Sequence, residues 1–195
     1  SYYVYDIEGG CVIHFTDRFA ESILKTCIKY CPIALKQPDN YEARANLMWA
    51  STQALNGLTS AGKGGAWTCH PIEHELSAMF DVTHGAGLAV VWPSWARYVM
   101  KENVSRFVRF AVNVTGVEND FTDPEGTALK GIEAMKRFYR AIGMPTTIRE
   151  LIGRDITEEE IKEMASKCTR GDKIAHGRFK KLKAADIEEI YRMAR

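Results

Sequence analysis

Several features that mark other protein classes are missing from this sequence of 195 residues. No apolar run approaches the roughly 20 residues that a membrane-spanning helix needs. Neither sign of charge dominates, since 26 Lys and Arg against 25 Asp and Glu give a formal net charge of +1. Such a chain lacks the concentrated positive field of a dedicated nucleic-acid binder or of a protein that binds anionic membranes. The five cysteines have no disulfide-framework spacing, so we expect reduced thiols in a cytoplasmic protein.

The N-terminus also lacks two ordinary features. It begins Ser-Tyr-Tyr-Val-Tyr-Asp, without an initiator methionine and without the basic and then apolar plan of a signal peptide. We therefore expect the chain to be a piece of a longer protein. Its length and its 46% hydrophobic content are nevertheless enough for one compact domain, predicted to span residues 1–195.

Helical patterns run through most of the chain, whereas strand patterns are nearly absent. Apolar residues recur at three- and four-residue spacing in a series of segments, at about 17–35, 40–56, 70–80, 85–101, 107–114, 123–142 and from 157 onward. Pro93 is expected to kink or split its helix. Residues 2–5 and 10–15 could pair as a small hairpin. The prediction is an all-α domain, possessing at most that hairpin at its N-terminus.

Local signals refine these helices. Asn40, Asp123 and Thr157 are predicted N-caps, and Glu160 would complete a capping box with Thr157. His70 is predicted to cap the helix that Pro71 opens. The helix from residue 40 is apolar on most of its circumference, which predicts a central position. Cys27 and Cys31, four residues apart, are expected on one buried face.

Three of the five histidines fall within residues 67–87. His70 and His74 are four apart and share one face of a helix, and His84 follows a turn later. Neutral imidazole is the commonest protein ligand of divalent transition metals, and converging imidazoles suit iron, zinc or nickel. The alternative is structural, with one histidine capping a helix and another buried in the core. The clustering favours a metal site.

From the residues alone, two functions that use no nucleotide cofactor remain open. His70, Glu73 and His74 fit the H-x-x-E-H pattern of small zinc hydrolases, in which Glu73 would act as general base on a zinc-bound water. Pro71 weakens that pattern, because it makes His70 a cap rather than a mid-helix ligand. The other alternative is a non-catalytic helical module with structural histidines.

A resemblance points to a third function. The segment from Trp67 to Trp95, with its H-x3-H-E-L-S-A-x2-D-x2-H-G-A-G-L-A core, resembles the iron-containing alcohol dehydrogenases, above all their butanol dehydrogenase and aldehyde reductase branch. Residues 17–21, 40–50 and 131–134 are similar to that family too, so the resemblance covers nearly the whole chain. It implies the helical metal-binding C-terminal domain of the fold shared with dehydroquinate synthase.

The resemblance also implies roles. The family's metal is held by one Asp and three His, and His70 and His84 match two of these ligands. His74 matches a non-ligand histidine between metal and nicotinamide, implying a part in substrate binding or proton relay. The other two ligands and an α/β nucleotide-binding domain would lie upstream of Ser1, and no nucleotide-contacting residue is identified here.

The implied reaction interconverts a primary alcohol and its aldehyde with NAD(P)(H). It would use Fe²⁺, with Zn²⁺ or Ni²⁺ as alternatives, in an enzyme that forms homo-oligomers. This chain alone is expected to be inactive.

The remaining signals are weak. Asp172 and His176 repeat the D-x3-H spacing, but they lie in a basic, Gly-flanked stretch that we interpret as a solvated loop. His14 is interpreted in the same way. Residues 62–65 resemble a phosphate loop only in composition. Trp67, Phe80 and Trp92 are suggested as walls of an alcohol pocket from their proximity in sequence.

Overall fold

The computed structural model describes residues 14–62, 65 and 67–195. These residues form nine α-helices and no strand, which confirms the all-α prediction. In chain order the helices are α1 (His14–Lys36), α2 (Tyr41–Leu55), α3 (Cys69–Phe80), α4 (His84–Val99), α5 (Val104–Asn113), α6 (Pro124–Ala141), α7 (Ile148–Ile152), α8 (Glu158–Thr169) and α9 (Ala184–Met193). No helix in the described part of the chain has the length and apolarity needed to cross a bilayer.

The predicted hairpin falls largely on residues 2–13, which lie outside the described residues. Its last two positions do not extend a strand, because α1 already begins at His14. The interpretation of His14 as part of a loop is therefore wrong.

Helix ends follow the local signals with two exceptions. The side chains of Asn40 and Thr157 each accept a hydrogen bond from the backbone N–H three residues later. Glu160 Oε2 in turn accepts from the Thr157 N–H at 2.9 Å, which completes the capping box. His70 is not a cap, since α3 begins one residue earlier with Thr68 as N-cap. Pro93 does not split α4, which continues from His84 to Val99. Pro93 is itself buried in α4, and we attribute the continuity to packing that outweighs the lost hydrogen bond.

The chain divides into two compact units. The first, here called the histidine unit, comprises residues 67–103 and 135–195. In it α3 packs on α4 and α8, while α9 packs on α4 and α8. The Tyr191 hydroxyl donates a 2.6 Å hydrogen bond to the Ile72 carbonyl, tying α9 to α3. The core of this unit contains fully buried apolar side chains from four helices, among them Ile72, Leu76, Val90, Val91, Met164, Ile187 and Ile190.

The second unit, here called the ion-pair unit, comprises the described residues below 66 together with residues 104–134. It carries a buried charge network between α1 and α5. Both guanidinium NH₂ groups of Arg106 donate to Asp17, at 2.7 and 2.6 Å, and Arg109 contacts Asp17 and Glu21. These buried charges keep their partners only while these faces of α1 and α5 meet.

Helix α2 is not central, contrary to its sequence pattern. Its buried residues are Ala43 and Ala50, whereas Tyr41, Met48 and Trp49 are 85%, 68% and 66% exposed. When a helix is apolar on all sides, its sequence does not specify which side packs on a neighbouring helix. In α2 the buried side is the one with the small alanine side chains, which allow close approach to α1.

The cysteines are reduced in the described residues, as expected. Cys27 and Cys31 are only half-buried, so the prediction of a buried face is too strong, whereas Cys69 and Cys168 are buried. Burial raises the pKa of each of these two buried thiols to about 12, which leaves them unreactive near neutral pH.

Candidate metal centre

The three histidines of the 67–87 segment converge within the histidine unit. His70 and His74 lie one turn apart on α3, and the connection at 81–83 brings His84, the first residue of α4, back toward them. Asp81 makes this short turn in a left-handed conformation with a φ of 52°. The sequence prediction that the three imidazoles lie together is therefore confirmed.

The spacing of the rings fits a shared metal ion. The ring centroid of His84 lies 5.3 Å from that of His70 and 5.2 Å from that of His74, and His70 and His74 are 6.3 Å apart. With metal–nitrogen bonds of about 2.1 Å, two imidazoles on one ion have centroids about 5 Å apart. The distance from His84 to each of the other two rings therefore fits two imidazoles that bind one metal ion.

The surroundings of His70 also suit a ligand. Its ring meets Trp67 edge-on at 4.3 Å, and its buried Nδ1 has no hydrogen-bond partner among the described residues. Burial, with smaller contributions from the charges of His84 and His74, lowers the pKa of His70 to about 4. The ring is therefore neutral at pH 7, the protonation state that metal binding requires.

Glu73 joins the two helices of the site. Its side chain is fully buried on α3, and its Oε2 contacts Nδ1 of His84. Its other oxygen, Oε1, accepts a 2.5 Å hydrogen bond from the Ser77 hydroxyl one turn later. Both oxygens of the carboxylate are therefore engaged inside the protein.

This engagement argues against the zinc-hydrolase alternative. A general base must reach the water that it activates. Glu73 instead has one oxygen on Ser77 and the other on an imidazole. A carboxylate oxygen of Glu73 does lie within 4.8 Å of ligand atoms of His74 and His84, so these three side chains could also surround an ion.

Gly87 makes the position of Glu73 attainable. A Cβ added at Gly87 would lie 2.7 Å from Cγ and 2.9 Å from Cδ of Glu73. Only the absence of a side chain at Gly87 lets a carboxylate lie against this turn of α4. Sequence reasoning missed Ser77, for which the i, i+4 spacing from Glu73 was the one available signal.

The aromatic residues suggested for an alcohol pocket lie in different surroundings. Trp67 contacts His70 as described, and is 45% exposed. The ring of Phe80 lies under the guanidinium of Arg154 at 5.3 Å, and Trp92 packs edge-on against Tyr139 at 6.4 Å. Their role in an alcohol pocket stays a prediction.

The second D-x3-H pattern has structural partners. Nε2 of His176 lies 2.9 Å from the carbonyl oxygen of Cys168, and Asp172 accepts a hydrogen bond from the backbone of Ala184. His176 also pairs through its backbone with Leu182. The loop is thus held by specific contacts rather than merely solvated, and these two side chains are engaged with backbone. The glycine-rich loop at 62–65 falls mostly outside the described residues.

Comparison with known proteins places this geometry in context. Residues 12–195 match the model of the Fe-containing alcohol dehydrogenase family, C-terminal region. The chain is 41% identical over 192 residues to NADH-dependent butanol dehydrogenase A of Clostridium acetobutylicum, covering 97% of this chain and 47% of that protein. It is 40% identical over 134 residues to the NADPH-dependent aldehyde reductase YqhD of Escherichia coli, covering 69% and 34%.

Solved structures agree with the sequence matches. NADH-dependent butanol dehydrogenase A of Thermotoga maritima superposes with a TM-score of 0.87 at 36% identity, covering 99% of this chain and 49% of that one. The substrate- and cofactor-free form of YqhD gives 0.88 at 32% identity, covering 99% and 49%. The chain thus spans about half the length of the proteins that it resembles.

Proposed function

Because the chain belongs to the iron-containing alcohol dehydrogenase family, as the resemblance implied, we propose that it is the metal-binding part of an NAD(P)(H)-dependent dehydrogenase. The whole enzyme would interconvert a primary alcohol and its aldehyde, with butanol and butanal as model substrates. The observation that carries the proposal is the convergence of His70, His74 and His84 at ring separations of 5.2–6.3 Å. The relatives named as butanol dehydrogenases and aldehyde reductases support the substrate class.

The residues present fit a divalent ion, for which we propose Fe²⁺, with Zn²⁺ or Ni²⁺ as alternatives. His70 and His84 would hold it, since their rings are 5.3 Å apart and burial keeps His70 neutral. When bound, such an ion supplies Lewis-acid polarisation of an aldehyde or alcohol oxygen. The remaining ligands and the nucleotide-binding domain would belong to the part of the enzyme outside these 195 residues.

His74 has a different proposed role. It is exposed, as His84 also is, whereas His70 is half-buried. It lies on the same face of α3 as His70, and its ring is 5.2 Å from that of His84. An accessible imidazole beside the ion can bind the substrate oxygen or hold and pass its proton. We therefore propose His74 as the catalytic residue of this chain. The cytoplasmic location and the homo-oligomeric state of the enzyme stay predictions.

Metal binding tests the ligand assignment directly. The chain is dialysed against Fe²⁺ without oxygen, or against Zn²⁺, and the bound metal is measured by mass spectrometry. We expect His70→Ala and His84→Ala to lose bound metal and His74→Ala to retain it. His176→Gln is the control, because that histidine is engaged with Cys168. Loss of metal in His74→Ala equal to that in His84→Ala would refute the division of roles, and absence of stoichiometric metal even from the full-length protein would favour the non-catalytic module.

Activity tests the other half of the proposal. Since the nucleotide-binding part is placed outside this chain, the 195-residue protein should not oxidise NADH or NADPH in the presence of butanal, measured by absorbance at 340 nm. Measurable butanal-dependent oxidation by the purified chain would show that the nucleotide site is within it.

A further inference from the structure

Among the described residues of the histidine unit, Glu73 is the one fully buried carboxylate that contacts a proposed metal ligand. The proposed reaction gives it no role. Its Oε2 contacts Nδ1 of His84, and its Oε1 accepts from Ser77 at 2.5 Å. We propose that Glu73 is a positioning residue, which holds the His84 ring with its proton on Nδ1 and so presents the Nε2 lone pair to the metal. This proposal rests on the proposed function for the metal, although its central claim concerns the protein alone.

The donor and acceptor chemistry determines the tautomer. An ionised carboxylate only accepts hydrogen bonds, and a neutral imidazole carries its proton on one of two nitrogens. We take Glu73 as the acceptor in its contact with Nδ1, which assigns the proton of the neutral His84 ring to that nitrogen. Nε2 of His84 is left with a lone pair, which is the form that a metal ligand needs.

The orientation of the carboxylate is fixed from two sides. Ser77, four residues after Glu73 on α3, holds Oε1, and the bare backbone at Gly87 of α4 lies against the side chain. The full burial of Glu73 leaves it no room to swing toward solvent. His84 itself is 46% exposed, so its own packing would not fix the ring without this contact.

Direct ligation is the competing role for Glu73, because one of its oxygens lies within 4.8 Å of ligand atoms of His74 and His84. The protein partners of both oxygens favour the positioning role, and the second test below separates the two. Carboxylates that accept from the far nitrogen of a ligating histidine orient the ring and raise its basicity, and their removal typically weakens metal binding by about 10–100-fold.

The tautomer of His84 in the metal-free protein is the first test. Two-dimensional ¹⁵N–¹H NMR of the histidine side chains at pH 8 distinguishes the nitrogen that bears the proton. We expect the Nδ1–H form in the unmodified chain and in Glu73→Gln, whose amide oxygen can still accept. Glu73→Ala should shift His84 toward the Nε2–H form or a mixture. Asp81→Asn, which alters an exposed acidic residue in the same segment, is the matched control and should leave the tautomer unchanged.

Titration with Zn²⁺ is the second test. We expect the Nε2 resonance of His84 to move on binding, and the affinity to fall about 10–100-fold in Glu73→Ala but less in Glu73→Gln. An Nε2–H tautomer in the unmodified metal-free chain would overturn the proposal. So would a loss of Zn²⁺ in Glu73→Gln as complete as that in His84→Ala, which would make Glu73 a ligand. If the unmodified chain shows the Nδ1–H tautomer but no metal binds even in the full-length protein, the metal proposal fails while the positioning of the ring stands.

Discussion

Gly87 and Gly85 offer a matched pair of substitutions on the first turns of α4. Glycine to alanine in a helix normally stabilises a protein by about 0.4–1 kcal/mol, because the unfolded chain loses freedom. A Cβ at Gly85 would meet no atom within 4 Å, so Gly85→Ala should show that gain. A Cβ at Gly87 would lie 2.7 Å from Cγ of Glu73, about 1 Å inside ordinary carbon–carbon contact.

The clash that Gly87→Ala introduces can be relieved only at a cost in stability. Glu73 is fully buried, so either α3 and α4 move apart or the carboxylate gives up Ser77 or His84. Overpacking of this kind costs about 1–3 kcal/mol, and a buried polar group left without a partner costs about 1–3 kcal/mol more. After the alanine gain is subtracted, we expect Gly87→Ala to destabilise the histidine unit by about 1–5 kcal/mol.

Thermal unfolding followed by circular dichroism measures this difference. For a chain of this size 1 kcal/mol corresponds to about 2–4 °C in Tm, so Gly87→Ala should melt clearly below the unmodified chain and Gly85→Ala slightly above it. The double variant Gly87→Ala with Glu73→Ala should recover stability relative to the sum of the two single changes, since the obstructing carboxylate is gone. Equal Tm values for Gly85→Ala and Gly87→Ala would refute the close packing of Glu73 on α4.

Two further predictions concern the ion-pair unit. Asp17→Ala leaves Arg106 buried without its bidentate partner, so it should lower the free energy of unfolding by about 3–5 kcal/mol, measured by urea denaturation. As a control, Arg149→Ala removes an exposed ion pair and should change the free energy of unfolding by less than about 1 kcal/mol. Gly131→Ala places a Cβ 2.6 Å from the backbone Cα of Ala111. Although alanine has the better helix propensity, this change should lower the free energy of unfolding by about 1–3 kcal/mol. A higher free energy of unfolding in the same urea denaturation would contradict this packing of α5 on α6.

The secondary structure could be predicted well because its signals are local. Asn40, Asp123 and Thr157 mark helix starts through hydrogen bonds to residues three positions away, and those bonds are present. The errors arose where a distant contact decides. Pro93 remains within one helix whose neighbours hold it, and the exposure of Trp49 depends on which face of α2 meets α1.

The candidate site could be predicted only in part, for the same reason. The spacing of His70, His74 and His84 is visible in the sequence, and the helical period alone brings the first two together. The contact of Glu73 with His84 depends on how α4 returns along α3. The sequence motif therefore suggested a catalytic base where the structure shows a carboxylate enclosed by its neighbours.

The close approach of Glu73 to Gly87 has a consequence for how these two positions can vary among relatives. The volume between α3 and α4 is shared, so that a carboxylate at the first position excludes any side chain at the second. In an alignment of the family, a residue larger than glycine at the position of Gly87 should therefore be accompanied by glycine or alanine at the position of Glu73. Members of that second type would have to orient the histidine at the position of His84 by other means.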